Sequence, residues 1–116
     1  MEQARKRVIA AHKVLEAGHL GSAVSIAYYA MLNSARAALP EGDNRARIDR
    51  GAWHLFRERY VVTGAFDEKL HALATTAQQA REQGDYEAVT PDPAEAKRIV
   101  EGASAFTAAV EHMLDA

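Results

Sequence analysis

Residues 20–39, ending Gly21-Ser-Ala-Val-Ser-Ile-Ala-Tyr-Tyr-Ala-Met-Leu-Asn-Ser-Ala-Arg-Ala-Ala-Leu39, constrain the fold more than any other stretch of the chain. This is the least polar long segment, and its apolar residues do not keep to one stripe. Ala23, Ile26, Ala30 and Ala37 mark one side, whereas Val24, Tyr28, Met31, Leu32 and Ala35 mark others. A helix that is apolar most of the way round is buried on several sides, which predicts the central helix of a bundle. Its small residues let neighbouring backbones approach, and the hydroxyls of Tyr28 and Tyr29 need a partner or water. Ser22, Ser25, Asn33 and Arg36 interrupt the stretch too often for a membrane span.

The segments on either side also read as helices. Ala4, Val8, Ala11 and Leu15 recur at the helical period within 2–17, and Gly18 is a natural left-handed stop. The short break at Gly18-His19 makes the first two helices antiparallel neighbours. Pro40 closes the second helix. A third is expected from about Arg45 to Thr63, stopped by Gly64, with Ile48, Ala52, Leu55, Phe56 and Val62 inward and Trp53 and Tyr60 on its flank. Phe66–Gln83 carries Phe66, Leu70, Leu73, Ala77 and Ala80 on one face, and Gly84 is read as its end, followed by a loop over 85–90. Asp92-Pro-Ala-Glu95 has the residues of a capping box with proline at the first helical position. The fifth helix follows, with Ala96, Ile99, Ala103, Phe106, Val110 and Met113 or Leu114 inward. The expectation is therefore a single all-α domain over residues 1–116, an antiparallel bundle of about five helices.

Charge is unevenly spread. The net charge is −2, yet residues 1–59 hold ten Lys/Arg against six Asp/Glu, and residues 60–116 hold four against ten. A basic face can meet phosphate, but the whole does not resemble an obligate nucleic-acid coat. There is no cysteine, which removes disulfides and thiolate metal sites and fits a cytoplasmic protein. The first residues lack the apolar centre of a signal peptide.

Several chemistries can be weighed from spacing. Glu16-Ala-Gly-His19 and Glu68-Lys-Leu-His71 match the Glu-x-x-His of di-iron bundles. However, Glu68 lies nearly opposite Leu70 on its helix and His19 lies beyond Gly18, so no metal site is expected. Serines 22, 25, 34 and 104 lack a strained nucleophile elbow, and no glycine loop cradles phosphate. Arg7 with His12, and Arg47 with His54, have the residue types of a minimal metal-free ribonuclease pair: a guanidinium for phosphate and an imidazole for the 2′-hydroxyl proton. With five histidines among so many basic residues, such spacings also arise by chance. Arg81 sits about 60° from the centre of its helix's apolar stripe, at the rim of the core face. Asp85 follows four residues later, then Tyr86. That pattern suits either a helix-end ion pair or a phosphate-binding guanidinium with a carboxylate beside it.

Three stretches, in order, resemble one family. Ser25-Ile-Ala-Tyr-Tyr-Ala-Met-Leu-Asn-Ser-Ala-Arg-Ala-Ala-Leu39 is similar to the second-helix signature of HEPN (higher eukaryotes and prokaryotes nucleotide-binding) domains. Phe56-Arg-Glu-Arg-Tyr-Val-Val-Thr-Gly64 resembles their Phe-x-x-x-(Phe/Tyr)-Val-x-Thr-Gly segment, and Arg81-Glu-Gln-Gly-Asp-Tyr86 resembles their Arg-x-x-x-Asp-Tyr segment. The resemblance covers nearly the whole chain. It implies a dimerising five-helix bundle with a groove at or near the dimer interface, and partners that include small nucleotidyltransferases encoded alongside. It also implies a toxin–antitoxin or defence setting, in which many members are metal-independent ribonucleases with Arg, four to six residues, then His. Here no histidine follows Arg81 before His112, and Asp49-Arg50-Gly51 lacks the histidine often found before that glycine. An ordinary carboxylate is a weak base and is rarely protonated at neutral pH.

Three functions follow as expectations. The first is a nucleotide- or RNA-phosphate-binding module, with Arg81, oriented by Asp85, on the phosphate, Tyr86 beside it, and Arg47 with His54 as a second site. The second is a ribonuclease using Arg81 and Asp85, or Arg47 and His54. The third is a purely structural helical dimer. No cofactor and no membrane contact are expected.

Overall fold

The computed structural model describes residues 1–87 and 89–115, the side chains of Tyr86 and Glu87 excepted. Five α-helices follow one another: α1 (Glu2–Glu16), α2 (Leu20–Ala37), α3 (Asp49–Phe56), α4 (Glu68–Glu87) and α5 (Pro93–Asp115). The described residues contain no strand. None of their helices is long and apolar enough to cross a membrane.

α2 is the central element. Ala23, Val24, Ala27, Tyr28, Ala30, Met31, Leu32, Ser34 and Ala35 are all buried, a set that goes round the helix rather than along one side. α1, α3, α4 and α5 all pack on it. Gly18, at φ 86°, reverses the chain after α1: its N–H bonds the Leu15 carbonyl and that of His19 bonds Val14, closing the last turn. Arg5 meets Glu111 and His12 meets Ser104, so α1 and α5 run in opposite directions. Deep between α2 and α5, the Ser34 hydroxyl reaches both the Ala30 carbonyl and Thr107 Oγ1, each at 2.9 Å. Burial without such partners would cost these hydroxyls about 1–3 kcal/mol.

An aromatic cluster joins α3 to α5. Phe56, Phe66 and Phe106 lie with ring centroids 4.8–5.8 Å apart, and Trp53 meets Phe106 edge-on at 6.0 Å. Each such buried ring contributes about 1.5–3 kcal/mol by leaving water. α5 begins as its sequence dictates, with Asp92 Oδ2 accepting from the N–H groups of Ala94 and Glu95 at 3.0 and 3.4 Å. Its expected inward residues Ala96, Ile99, Ala103, Phe106 and Val110 are all buried, and of the last pair Met113 packs against the core while Leu114 is exposed.

The third segment departs from a single helix. Residues Asn44–Arg47 form a 3₁₀ turn capped by Asp43, Ile48 is extended, and only then does α3 begin. After Phe56 the chain widens into a π-helical turn, Arg57–Val61, in which the Val62 N–H bonds the Arg57 carbonyl. The wider turn shifts the phase of everything beyond it. Tyr60 thereby reaches the Ala38 carbonyl with its hydroxyl. Ile48 and Val62, expected inward, are instead 66% and 70% exposed: the first lies before the helix, and the second lies after the phase shift. α4 also differs from expectation. It continues through Gly84 to Glu87, since a helical glycine costs only about 1 kcal/mol and the left-handed stops fall elsewhere, at Gly18, Gly42 and Gly64.

Candidate functional site

Because α4 does not break at Gly84, Arg81 and Asp85 are one helical turn apart on the same face. Arg81 is held from three directions. Its Nη2 donates to the Tyr29 hydroxyl at 2.8 Å, and its guanidinium carbon lies 5.1 Å and 5.4 Å from the ring centroids of Tyr29 and Tyr28. Its side chain is 22% exposed. A guanidinium stacked on aromatic faces and bonded at one nitrogen has lost most of its rotamers. Burial works against its charge, but the Tyr29 hydrogen bond and nearby Asp85 outweigh it, and the pKa lies above the ordinary arginine value. The group is therefore a permanent cation.

That cation is only partly neutralised. The closest approach of Asp85 is 3.9 Å, with the carboxylate half-exposed, and the Tyr29 bond is the one hydrogen bond Arg81 makes to the described residues. A guanidinium has five N–H donors, so most remain for a ligand. Arg7 adds to the local charge. Its guanidinium also lies over the Tyr29 ring, at 5.5 Å, and its buried Nε has no hydrogen-bond partner among the described residues.

Arg81 lines an open groove of about 480 Å³. One wall is the start of α2, with Gly21, Ser22 and Ser25. The other is the end of α4, with Ala80, Arg81, Gly84 and Asp85, and Val89–Pro91 close one end. The α2 N-terminus has no side-chain cap. Free N–H groups at such an end favour an anion, and here they share a groove with a fixed guanidinium and two serines. Among the described lining residues there is no histidine.

Behind the groove, Tyr28 ties the site to α3. Its hydroxyl accepts from Trp53 Nε1 at 3.1 Å and donates to Asp49 Oδ2 at 3.4 Å, while Asp49 Oδ1 accepts from Arg36 at 2.9 Å. Burial raises the Tyr28 pKa and Asp49 adds to the effect, although the Trp53 hydrogen bond opposes it, so the phenol stays neutral.

The other sequence candidates lie elsewhere. Arg47 and His54 come together, but apart from Arg81: they share an open concavity of about 800 Å³ with Asn44, Arg45, Ile48, Arg50 and Gly51. His54 Nε2 is 3.1 Å from Glu58. Arg7 and His12 do not form a pair; Arg7 joins the tyrosine cluster and His12 bonds Ser104 at 2.9 Å. The Tyr86 side chain lies outside the described residues. No group of metal-ligating side chains assembles among the described residues, and His71 stacks on Phe56 at an interplanar angle of 10°. Sequence reasoning missed Tyr29, Ser22, Ser25 and Gly21. The signal available for the last three was a helix start preceded by His19, with no capping residue.

Against families of known proteins, the HEPN domain family matches residues 1–113. No curated protein matches the chain.

Proposed function

The chain belongs to the HEPN domain family, and from that premise we propose that it is a nucleotide- or RNA-phosphate-binding module whose anion clamp is Arg81. The observation that supports this reading is the guanidinium itself: oriented by two tyrosine rings and one hydroxyl, barely neutralised, and set in a groove that also receives the uncapped start of α2. A fixed planar donor fork beside free backbone N–H groups matches the oxygens of a phosphate. Asp85 sits where it can orient the fork or accept from a ribose hydroxyl. In this reading the module acts in the cytoplasm as a homodimer. It docks a small nucleotidyltransferase in the toxin–antitoxin or defence setting that its family resemblance implies.

The experiment is a thermal melt with ATP, GTP or a short oligoribonucleotide. A ligand that prefers the folded state raises the melting temperature, by about 2.7 kcal/mol of stabilisation at a hundredfold excess over Kd. The rise should vanish in Arg81→Met, which keeps the packing of the stem and removes the charge. Absence of any rise with the unaltered protein would end the proposal.

A ribonuclease is the second reading, favoured by the position of Asp85 within 3.9 Å of Arg81 at a groove rather than in open solvent. RNA cleaved in EDTA by the unaltered protein, but not by Arg81→Met, would establish it.

A further inference from the structure

The corner where the 3₁₀ turn meets α3 is a second cationic surface, built differently from the Arg81 groove. Arg45, Arg47, Arg50 and His54 line one open concavity, and among the described residues no acidic one lines it. Asp43 and Glu58 engage Arg45 and His54, whereas Arg47 and Arg50 have no ion-pair partner among the described residues. Ile48, apolar and 66% exposed, lies between them.

The backbone here is fixed. Asp43 caps the turn by accepting from the Arg45 N–H at 2.9 Å and grips the Arg45 guanidinium as well. Gly51 lets the turn settle directly on α3: a Cβ at that position would lie 1.7 Å from the Arg45 carbonyl oxygen. The absence of one methyl group thus places the arginines of the turn beside those of the helix. Unpaired arginines round an exposed apolar patch, in an open concavity, match an extended polyanion whose bases can rest on apolar surface.

We infer that the Arg45–His54 corner is a binding surface for the phosphodiester backbone of single-stranded RNA, with Arg47 and Arg50 on phosphates and Ile48 beneath a base. The inference does not rest on the Arg81 reading, and the two can fail separately.

The test is fluorescence anisotropy with a labelled, 2′-O-methylated oligouridylate, which resists cleavage, titrated over a range of salt concentrations. The unaltered protein should bind at low salt, with log Kd depending linearly on log salt concentration. Arg47→Ala/Arg50→Ala should reduce that slope by about 1.4, at about 0.7 per lost phosphate contact on a single strand, and weaken low-salt binding by about tenfold or more. Arg47→Lys/Arg50→Lys should restore the slope. Both variants should melt as the unaltered protein does, since the altered side chains are exposed. Arg81→Met, which removes at most one phosphate contact, should lower the slope by no more than about 0.7 even where it abolishes the nucleotide-induced melting shift. The inference is overturned if the double alanine variant binds with unchanged slope and affinity, or if the unaltered protein does not bind at all. It is equally overturned if oligoglutamate of matched charge binds as tightly, which would mark the corner as a seat for an acidic protein segment.

Discussion

The two basic regions of this molecule hold their arginines in opposite ways. Arg81 is pinned by side chains, two rings and a hydroxyl contributed by α2, and keeps one orientation. Arg47 and Arg50 are exposed and are placed only by the backbone beneath them, through the contact of Gly51 with the Arg45 carbonyl. The first arrangement suits recognition of a phosphate in one geometry. The second suits attraction of charge wherever it lies along a strand. A guanidinium fixed in advance loses little entropy on binding, whereas a mobile one contributes mainly through the field it shares with its neighbours.

That contrast can be broken by substitution. The largest effect is expected at Arg81. Removing a charge-assisted phosphate contact costs about 1.5–3 kcal/mol, so Arg81→Met should weaken nucleotide binding by roughly tenfold to a hundredfold in calorimetric titration. An effect no larger than that of Arg50→Ala would erase the distinction. Next comes Gly51→Ala. Its methyl group meets backbone rather than a flexible side chain, and overpacking of that kind costs about 1–3 kcal/mol, partly offset by better helix propensity. Chemical denaturation should show the loss, and oligouridylate binding should weaken with it while the nucleotide-induced melting shift persists.

Tyr29→Phe sharpens the comparison from the other side. It keeps the ring under Arg81 and deletes only the hydroxyl acceptor, so nucleotide affinity should fall by the worth of one hydrogen bond, about 0.5–1.5 kcal/mol, or a few-fold. A loss as large as that of Arg81→Met would mean that the hydroxyl itself touches the ligand.

The smallest effect concerns pH. Burial in the aromatic cluster, helped by Arg57, lowers the His71 pKa below its ordinary 6.5. The unfolded chain then binds the proton more readily than the folded one. Stability is fully present above pH 6.5 and declines as pH falls through the folded-state value. His71→Gln should flatten that acid limb of the melting-temperature profile; an unchanged limb would place its origin in other groups.

Much of this was legible in the sequence, and the reasons for the rest are local. The bundle, the central place of α2, the stops at Gly18 and Gly64 and the start at Asp92-Pro93 all rest on short-range chemistry. So does the position of Arg81 at the rim of its helix's apolar face. Gly84 misled because glycine permits a left-handed stop without requiring one. Ile48 and Val62 misled because a 3₁₀ turn and a π turn each shift the helical period, and nothing in Arg45–Thr63 announces either. The contact of Arg81 with Tyr29 spans 52 residues, and that of Gly51 with Arg45 depends on how closely two backbones settle; neither is written in spacing. The resemblance to HEPN domains pointed to Arg81, Asp85 and Tyr86 but not to the tyrosine that aims the guanidinium.

The Ser34–Thr107 bond works as a registration pin between α2 and α5. Sliding α5 along α2 by a single turn would strand the Thr107 hydroxyl in hydrocarbon and leave Ser34 only the Ala30 carbonyl of its own helix, whereas the alanines and valines around them would tolerate the slip with little complaint. One polar pair in an otherwise greasy seam thus selects a single alignment of α5 against the central helix.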